Sequence, residues 1–307
     1  IDSVMMAIMN LAKQKTFRQF LKKVNITIQQ FDAAAHGDIL NGCLILKDVD
    51  LKGSYFAEMK NLGKKFDYVI APFLEAVSVN NQFRETAVME VFMPLVQKVS
   101  SGGFYDVELE SLHFPSLAKA RDFSFYYNTF VTINLSSLKT LDSHCSFSKC
   151  ANLRLFVAPK LQNINRSCFS NCKKLEAVLT PNATVSDMAF AFCPKIKTIL
   201  AFQWNFSCDC KKCPRCTKTL RNCLENGDKF ARSEEYKLIQ RQEQYDKEFV
   251  RYQPKMIQFD LMATKNQRKT LELCSLRRQQ NQTIKNVQLI GQFLQCVGQQ
   301  TITNHTE

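Results

Sequence analysis

Four closely spaced cysteines carry the strongest chemical signal in this sequence. They lie in the segment WNFSCDCKKCPRC, as Cys208, Cys210, Cys213 and Cys216. The Cys213-x-x-Cys216 spacing puts two thiolates on one short turn, as in many zinc sites, and Cys208 and Cys210 could complete a ligand set. Three interpretations remain open: a structural Zn²⁺ site, a small disulfide-bonded cap, or free thiols. No thioredoxin-like strand and helix surround this pair, so redox catalysis is not indicated.

Other residue types that could do chemistry are scattered. The four histidines, at positions 36, 113, 144 and 305, lie far apart and belong to no recognisable metal or nucleophile motif. His144 and Cys145 are neighbours, but adjacent loop residues usually point apart, so they do not indicate a catalytic dyad. The sequence has nine glycines and no phosphate-binding glycine loop. We therefore predict that the chain is not an enzyme, and that structural zinc is its one candidate cofactor.

A ladder of prolines reveals the elements that must position these residues. We call the position of each recurring proline a rung. The rungs are Pro72, Pro94, Pro115, Pro159 and Pro181, at intervals of 22, 21, 44 and 22 residues. The double gap predicts a rung without proline at Ser137, and Phe202 extends the series to seven. The residue six before each rung is apolar in every copy, and an apolar pair follows most rungs. A fixed period near 22 residues is typical of a solenoid.

Two further columns recur at the same period. A phenylalanine follows each of the first six rungs, in the row Phe83, Phe104, Phe125, Phe147, Phe169 and Phe190. A cysteine follows the last three of these, at Cys150, Cys172 and Cys193. We interpret the phenylalanines as a spine of the core. We interpret these cysteines as small buried hydrophobic side chains.

The stretch FSKCANLRLFVAPKLQNINRSCFSNCKKLEAVLTP resembles the BspA-type leucine-rich repeat. The resemblance covers about 140 residues in six or seven copies. It implies an interaction or adhesion surface, since members of this family are known as such rather than as enzymes. The sequence departs from the family pattern where proline is missing, at Ser137 and Phe202, and where the early copies lack the cysteine.

The period also predicts how the strands are connected. Strands of four to six residues that close at each rung are joined by crossovers of about 16 residues, too long for hairpins, so they must stack in parallel. We therefore predict an α/β solenoid: a leucine-rich-repeat array of parallel strands with a period of about 21–23 residues. An N-terminal helix and a C-terminal helical, coiled-coil-like tail should flank it.

Alternation along these strands predicts an apolar stripe on the open face of the sheet. Such a stripe marks a binding surface or a surface covered by another part of the chain, and a one-residue slip would move it inside. We predict that a protein partner binds there, through Tyr68, Ile70, Glu90, Phe92, His113, Ile133, Leu135, Leu155, Val157, Leu179 and Leu200.

The flanking segments differ in composition from the repeats. We predict an amphipathic helical cap over residues 1–40, the solenoid over 41–202, a cysteine-rich cap over 203–223 and a helical tail over 224–307. Apolar residues of the tail recur every seven residues from Leu224 to Phe259. Beyond Leu271 the spacing alternates by three and four, which is typical of a coiled-coil seam. The positions are Leu273, Leu276, Gln280, Thr283, Val287, Ile290, Leu294 and Val297, with a polar middle at Gln280 and Thr283. The tail could therefore form an intrachain antiparallel hairpin, fold back over the sheet, or pair with another chain as a homo-oligomer.

The charge and hydropathy of the chain limit the classes of partner that we expect. The net charge of +13 is spread along the sequence, whereas a nucleic-acid footprint is a focused basic face, so nucleic-acid binding is not favoured. No apolar run approaches the 18 residues of a membrane span. Without a visible signal peptide a cytoplasmic location is favoured, although the sequence begins with Ile1 and its N-terminus could be truncated.

These observations predict a non-enzymatic protein-interaction scaffold. The first alternative is a secreted or surface adhesin-like protein that binds host or matrix proteins, which would require secretion and oxidised cysteines. The second is a zinc-containing nucleic-acid binder that uses the basic tail.

Overall fold

A computed structural model describes residues 15–51, 66–142 and 144–303, with the backbone alone for 293–303. Residues 1–14 of the predicted helical cap and residues 52–65 of the predicted solenoid lie outside these ranges. The chain forms two compact units, Ile1–Ile257 and Gln258–Glu307. Among the described residues, no helix combines the length and the apolar character that a membrane span needs.

Short strands, one or two for each repeat, build the solenoid. They are β1 Ile39–Leu40, β2 Cys43–Ile45, β3 Tyr68–Ile70, β4 Ala76–Val77, β5 Glu90–Phe92, β6 Lys98–Val99, β7 Lys119–Ala120, β8 Thr132–Asn134, β9 Thr140–Leu141, β10 Leu155–Val157, β11 Asn163–Ile164, β12 Ala177–Val185 and β13 Thr198–Gln203. The rung strands form the sheets β1-β2-β3-β5 and β8-β10-β12-β13, and β11 also pairs with β12; the strands that follow the rungs form the sheet β4-β6-β7-β9.

The strand register confirms the predicted solenoid. Apart from the antiparallel pair β1–β2, the strand pairs are parallel. Val69 lies opposite Val91, and Phe156 lies opposite Val178, so each pair joins residues 22 positions apart. The array has about seven turns at this period, with helices at its C-terminal end.

Four described helices flank the repeats: α1 Phe17–Lys23, α2 Ile28–Ala33, α3 Leu220–Ala231 and α4 Glu234–Thr303. Capping boxes begin the first two, where Thr16 pairs with Gln19 and Thr27 pairs with Gln30. Each box satisfies backbone N–H groups that the first turn of a helix leaves unpaired. Such caps matter here because α1 and α2 are too short to be stable without tertiary contacts.

The phenylalanine spine forms as predicted. All six rings are buried, and each stacks on the next at centroid distances of 5.1–5.9 Å and interplanar angles of 14° or less. Each ring therefore fills the space between two repeats, and no repeat buries its own phenylalanine alone.

The cysteine column is also buried. The Sγ atoms of Cys150, Cys172 and Cys193 donate hydrogen bonds to the carbonyl oxygens of Phe125, Phe147 and Phe169, at 3.3, 3.1 and 2.9 Å. Each thiol thus donates its hydrogen bond to the backbone of the preceding repeat. Burial raises the pKa of Cys150 to about 12 and that of Cys172 well above its usual value. These thiols are packing groups, because a nucleophile or metal ligand needs an accessible thiolate.

The missing rung lies at Ser136 and not at the predicted Ser137. Phe156 pairs with Ile133, and Leu112 forms a bridge with the same residue, which sets the alignment one residue earlier. The shift explains why Val131 is exposed while Phe130 is buried. Because side chains alternate along a strand, a one-residue error exchanges the two faces.

Candidate functional site

The four cysteines of the C-terminal segment converge as predicted. Their Sγ atoms all lie within 4.8 Å of one another. Cys216 Sγ lies 3.6 Å from Cys213 Sγ and 3.9 Å from Cys210 Sγ. Four sulfurs at 2.3 Å from a tetrahedral zinc ion would be about 3.8 Å apart. The arrangement could therefore hold a metal ion.

Backbone groups organise the cluster around Cys210. Its Sγ accepts hydrogen bonds from the N–H groups of Phe192, Lys212 and Cys213 at 3.3–3.5 Å. Burial acts to raise the pKa of Cys210, but these donors outweigh it and lower that pKa to about 6. The loop is thus built to stabilise negative charge on sulfur, and Lys211, Lys212 and Arg215 add positive charge beside it.

The neighbouring elements fix this loop at both ends. Phe192, one of the donors, belongs to the turn of the last repeat, so Cys210 is attached to the solenoid. On the other side, Thr217 N–H donates to Cys213 O, and Leu220 N–H donates to Pro214 O, at 3.0 and 3.1 Å. Helix α3 therefore begins directly on the Cys213–Cys216 turn.

The predicted partner-binding stripe is not exposed, contrary to expectation. Ile70, Phe92, Leu155, Val157, Leu179 and Leu200 are all buried. The side chains of the strands alternate between the two faces of the sheet as predicted, but helices of the same chain lie on the predicted open face. Ile133 and Leu135 are in the solenoid core, because the rung at Ser136 turns them inward. Binding of a partner by these residues stays a prediction, and it would require the covering helices to move.

Helix α1 covers the N-terminal part of the sheet. Phe20 packs on Phe92 and Tyr68 at centroid distances of 5.5 and 6.4 Å. Glu90 forms ion pairs with Lys15, at 2.7 Å, and with Lys23. Burial acts to raise the pKa of Glu90, and the two lysines outweigh it and lower that pKa. Glu90, which the sequence predicted as a binding residue, thus holds helix α1 on the sheet.

The first part of α4 covers the C-terminal part of the sheet. Leu155, Val157, Ala177, Leu179 and Leu200 form a second hydrophobic cluster with Ile239 of this helix. Buried Ser136 donates a hydrogen bond to Asp246, and Lys160 pairs with Glu243 at 2.7 Å. Apolar and polar contacts thus hold the helix on the strands.

His113 lies at the junction of the two covered regions. Its ring packs 5.5 Å from that of Phe249, and its Nε2 atom is buried without a hydrogen-bond partner among the described residues. Burial lowers the pKa of His113 to about 4. The side chain is therefore a neutral packing residue at neutral pH.

An exposed aromatic surface was missed in the sequence. We call it the turn-side row, and it consists of Arg84, Tyr105, Phe123, Tyr126, Tyr127 and Lys149. Tyr105 stacks on Tyr126 at 4.8 Å. Arg84 lies 4.5 Å above the ring of Tyr105, and Lys149 lies 5.4 Å above that of Tyr126. The 22-residue columns beside the buried phenylalanines could have revealed it.

Two members of this row have an uncommon backbone. Phe123 and Tyr127 have φ angles of 52° and 58°, and their side chains are 40% and 53% exposed. Every repeat adopts positive φ at one or both of these columns, because the turn requires it. In other repeats the columns hold residues of several types. Asn81, Gly102 and Asp106 tolerate this conformation better, whereas Met188 and Phe192 do not.

A known repeat family agrees with the repeat period of this architecture. Residues 79–197 match the model of the BspA type leucine rich repeat region in six copies. A crystal structure of a leucine-rich repeat protein from Bacteroides ovatus ATCC 8483 is similar, with 17% identity and a TM-score of 0.42, over 50% of this chain and 41% of that one. This chain thus spans less than half the length of that protein. No curated protein matches. Six repeat copies at the period of the strand register identify residues 79–197 as a BspA type leucine rich repeat region.

Proposed function

We propose that this chain is a non-enzymatic protein-interaction scaffold that binds its partner through the turn-side row. The leucine-rich repeat is a scaffold generally used for protein interaction. The observation that carries the choice of surface is the exposure of Phe123 and Tyr127, whereas helices cover the described apolar part of the sheet face. Tyrosine and arginine are also the residue types that most often dominate binding energy at protein interfaces.

The backbone of the row supports this assignment. A large side chain at positive φ costs about 1–2 kcal/mol relative to a residue that tolerates the conformation. Phe123 and Tyr127 both carry this cost on an exposed surface, where burial does not offset it. Residues that weaken folding without packing in the core are typical of functional surfaces.

Replacing Phe123 by asparagine and Tyr127 by aspartate should separate binding from folding. Both new residues occur in the same columns elsewhere, at Asn81 and Asp106. We expect the double variant to be as stable as the natural protein, or more stable by about 1 kcal/mol per site, because the backbone cost is removed. Partner capture should fall at least about ten-fold, measured by quantitative pull-down and then by calorimetry with the identified partner.

The matched control is Ser167→Asn, since Ser167 has a φ of 55° in the same column as Phe123 but lies outside the row. It should change stability in the same direction and leave capture unchanged. Equal capture by the natural protein and the double variant would show that the partner binds elsewhere, with the sheet face as the next surface to test.

A structural Zn²⁺ ion at Cys208, Cys210, Cys213 and Cys216 is a second part of the proposal. Four cysteine ligands leave no open coordination position, which suits a structural and not a catalytic metal. A disulfide would bring two sulfurs to about 2.05 Å and leave the others unpaired, whereas all four thiols are free and close together.

The second unit provides a surface for self-association. Along α4, Met262 and the predicted positions Phe259, Leu273, Leu276, Val287 and Ile290 share one stripe and are 59–66% exposed. Polar layers at Asn266, Lys269, Gln280 and Thr283 separate them. In a parallel in-register pair of helices, Glu272 at a g position would face Arg277 at an e position of the second copy. The homo-oligomer that we propose is therefore a parallel dimer through residues 258–292.

Charge reversal tests this dimer. Glu272→Arg should weaken association by placing like charges together, and Glu272→Arg with Arg277→Glu should restore it, because the exchanged charges attract again. Sedimentation over a range of concentrations measures both effects. A natural protein that stays monomeric at high concentration, or a double variant that is not restored, would rule out this pairing.

A further inference from the structure

We propose that the zinc centre is a clamp that seats helix α3 on β13 and so closes the C-terminal end of the solenoid. This inference rests on the zinc site proposed above and adds the role of the ion. The juxtaposition of three features supports it: the last strand, the helix that lies against it, and the thiol cluster from which that helix begins.

The last strand of a solenoid presents an open edge. β13 pairs with β12 on one side, and it is the final strand of its sheet among the described residues. An uncovered edge strand is a template for pairing with other chains, and terminal repeats need a cap. The chain must therefore cover this end.

Helix α3 lies against the final turn of the array. Cys223 Sγ donates to Ile196 O at 3.4 Å, and Asn226 Nδ2 donates to Lys197 O at 2.9 Å. Gly227 approaches so closely that a Cβ atom there would lie 2.0 Å from Ile199 O. Contact this close to backbone atoms permits only glycine, so a side chain at this position would force α3 away from β13.

The turn that carries the thiol cluster also caps the first residues of this helix. Thr219, its N-cap residue, makes no side-chain cap hydrogen bond. The free N–H groups of Thr219 and Leu220 donate instead to Pro214 O, within the Cys213–Cys216 turn. The opposite side of the cluster is held by the N–H of Phe192. A metal ion at the thiols would therefore join the last repeat to the first turn of α3.

Helix α3 has reason to depend on such a clamp. It has 12 residues, of which Leu220, Cys223 and Gly227 are buried, and helices of this length are marginal in water by themselves. Zinc binding and the docking of α3 should therefore be coupled, as is general for structural zinc.

Coupling between two sites is reciprocal, and Gly227→Ala uses this reciprocity. The variant changes no thiol, but its Cβ collides with the backbone of Ile199. If bound zinc favours the docking of α3 by some factor, then loss of docking must lower the zinc affinity by the same factor. We expect zinc affinity to fall about ten-fold or more. Gly291→Ala is the control, because a Cβ there meets nothing within 4 Å, and its zinc affinity should equal that of the natural protein.

The experiment has two arms on the full chain. Elemental analysis of the purified protein should give one zinc per chain, and competition with a chromophoric chelator gives the affinity of each variant. Hydrogen exchange before and after removal of zinc should show loss of protection in Thr198–Gln203 and Leu220–Ala231, with protection retained in the central repeats.

Absence of zinc, together with failure of added Zn²⁺ to bind, would overturn the zinc site itself. Both segments could stay protected from exchange after zinc is removed, and Gly227→Ala could bind zinc as tightly as the natural protein does. These two results together would overturn the clamp but not the zinc site. If the zinc-free protein aggregates before exchange can be measured, the Gly227→Ala arm decides, because it needs no zinc-free sample.

Discussion

Replacing Phe169 by alanine should lower the free energy of unfolding by about 3–5 kcal/mol, the usual cost of removing a fully buried aromatic side chain. The ring is stacked between Phe147 and Phe190, both at a centroid distance of 5.9 Å, and meets the edge of Phe156 at 4.8 Å. A cavity at this point affects two repeat interfaces at once. Urea denaturation followed by circular dichroism measures the loss.

Phe192→Ala is the matched control for this prediction. Phe192 is exposed and lies in a turn column, so its truncation should change stability by less than about 0.5 kcal/mol. A cost for Phe169→Ala as small as that of the control would mean that the spine does not carry the packing between repeats.

Leu179→Glu should be the more informative of the large effects, because it tests whether the sheet face is covered. In an open sheet this change would leave folding intact. Leu179 is instead buried against Leu155 and the start of α4, so the new carboxylate would lack both solvent and a partner. We expect a loss of at least about 3 kcal/mol, from the missing apolar contact and the buried charge together.

The pH dependence of this variant has a defined sign. Burial raises the pKa of a carboxyl group in the folded state above the value near 4.3 that glutamate has in the unfolded chain. The folded state therefore binds the proton more tightly, and the deficit relative to the natural protein should grow as the pH rises above about 4.3. Denaturation at pH 4 and pH 7 measures the difference.

Leu179→Met provides the comparison, since a volume-conserving apolar change should cost less than about 1.5 kcal/mol at either pH. Stability of Leu179→Glu equal to that of Leu179→Met would mean that the face is open to solvent. The sheet face would then return as the leading candidate for the partner surface.

Particular residues show where inference from the sequence ended. The period predicted the strands, the spine and the buried cysteines, because apolar columns at constant spacing leave few packing solutions. It placed the missing rung one residue late, at Ser137, since neither Ser136 nor Ser137 has the fixed backbone angle that makes proline a marker. That single residue reversed the faces of Ile133 and Leu135.

The candidate sites divide in a similar way. The spacing of Cys208, Cys210, Cys213 and Cys216 predicted convergence, because ligands close in sequence need only a local turn to meet. The cover on the sheet could not be predicted, because contacts such as Ser136 with Asp246 join residues 110 positions apart. The turn-side row was missed because its residues become a surface only when successive turns stack.

The amino-acid sequence by itself therefore determined the repeat architecture, the core columns and the cysteine cluster, all of which depend on local spacing. The tertiary structure alone decided which faces are covered, where the aromatic row is exposed and how α3 meets β13. These features depend on contacts between distant segments, whose geometry is set by the packing of the whole array.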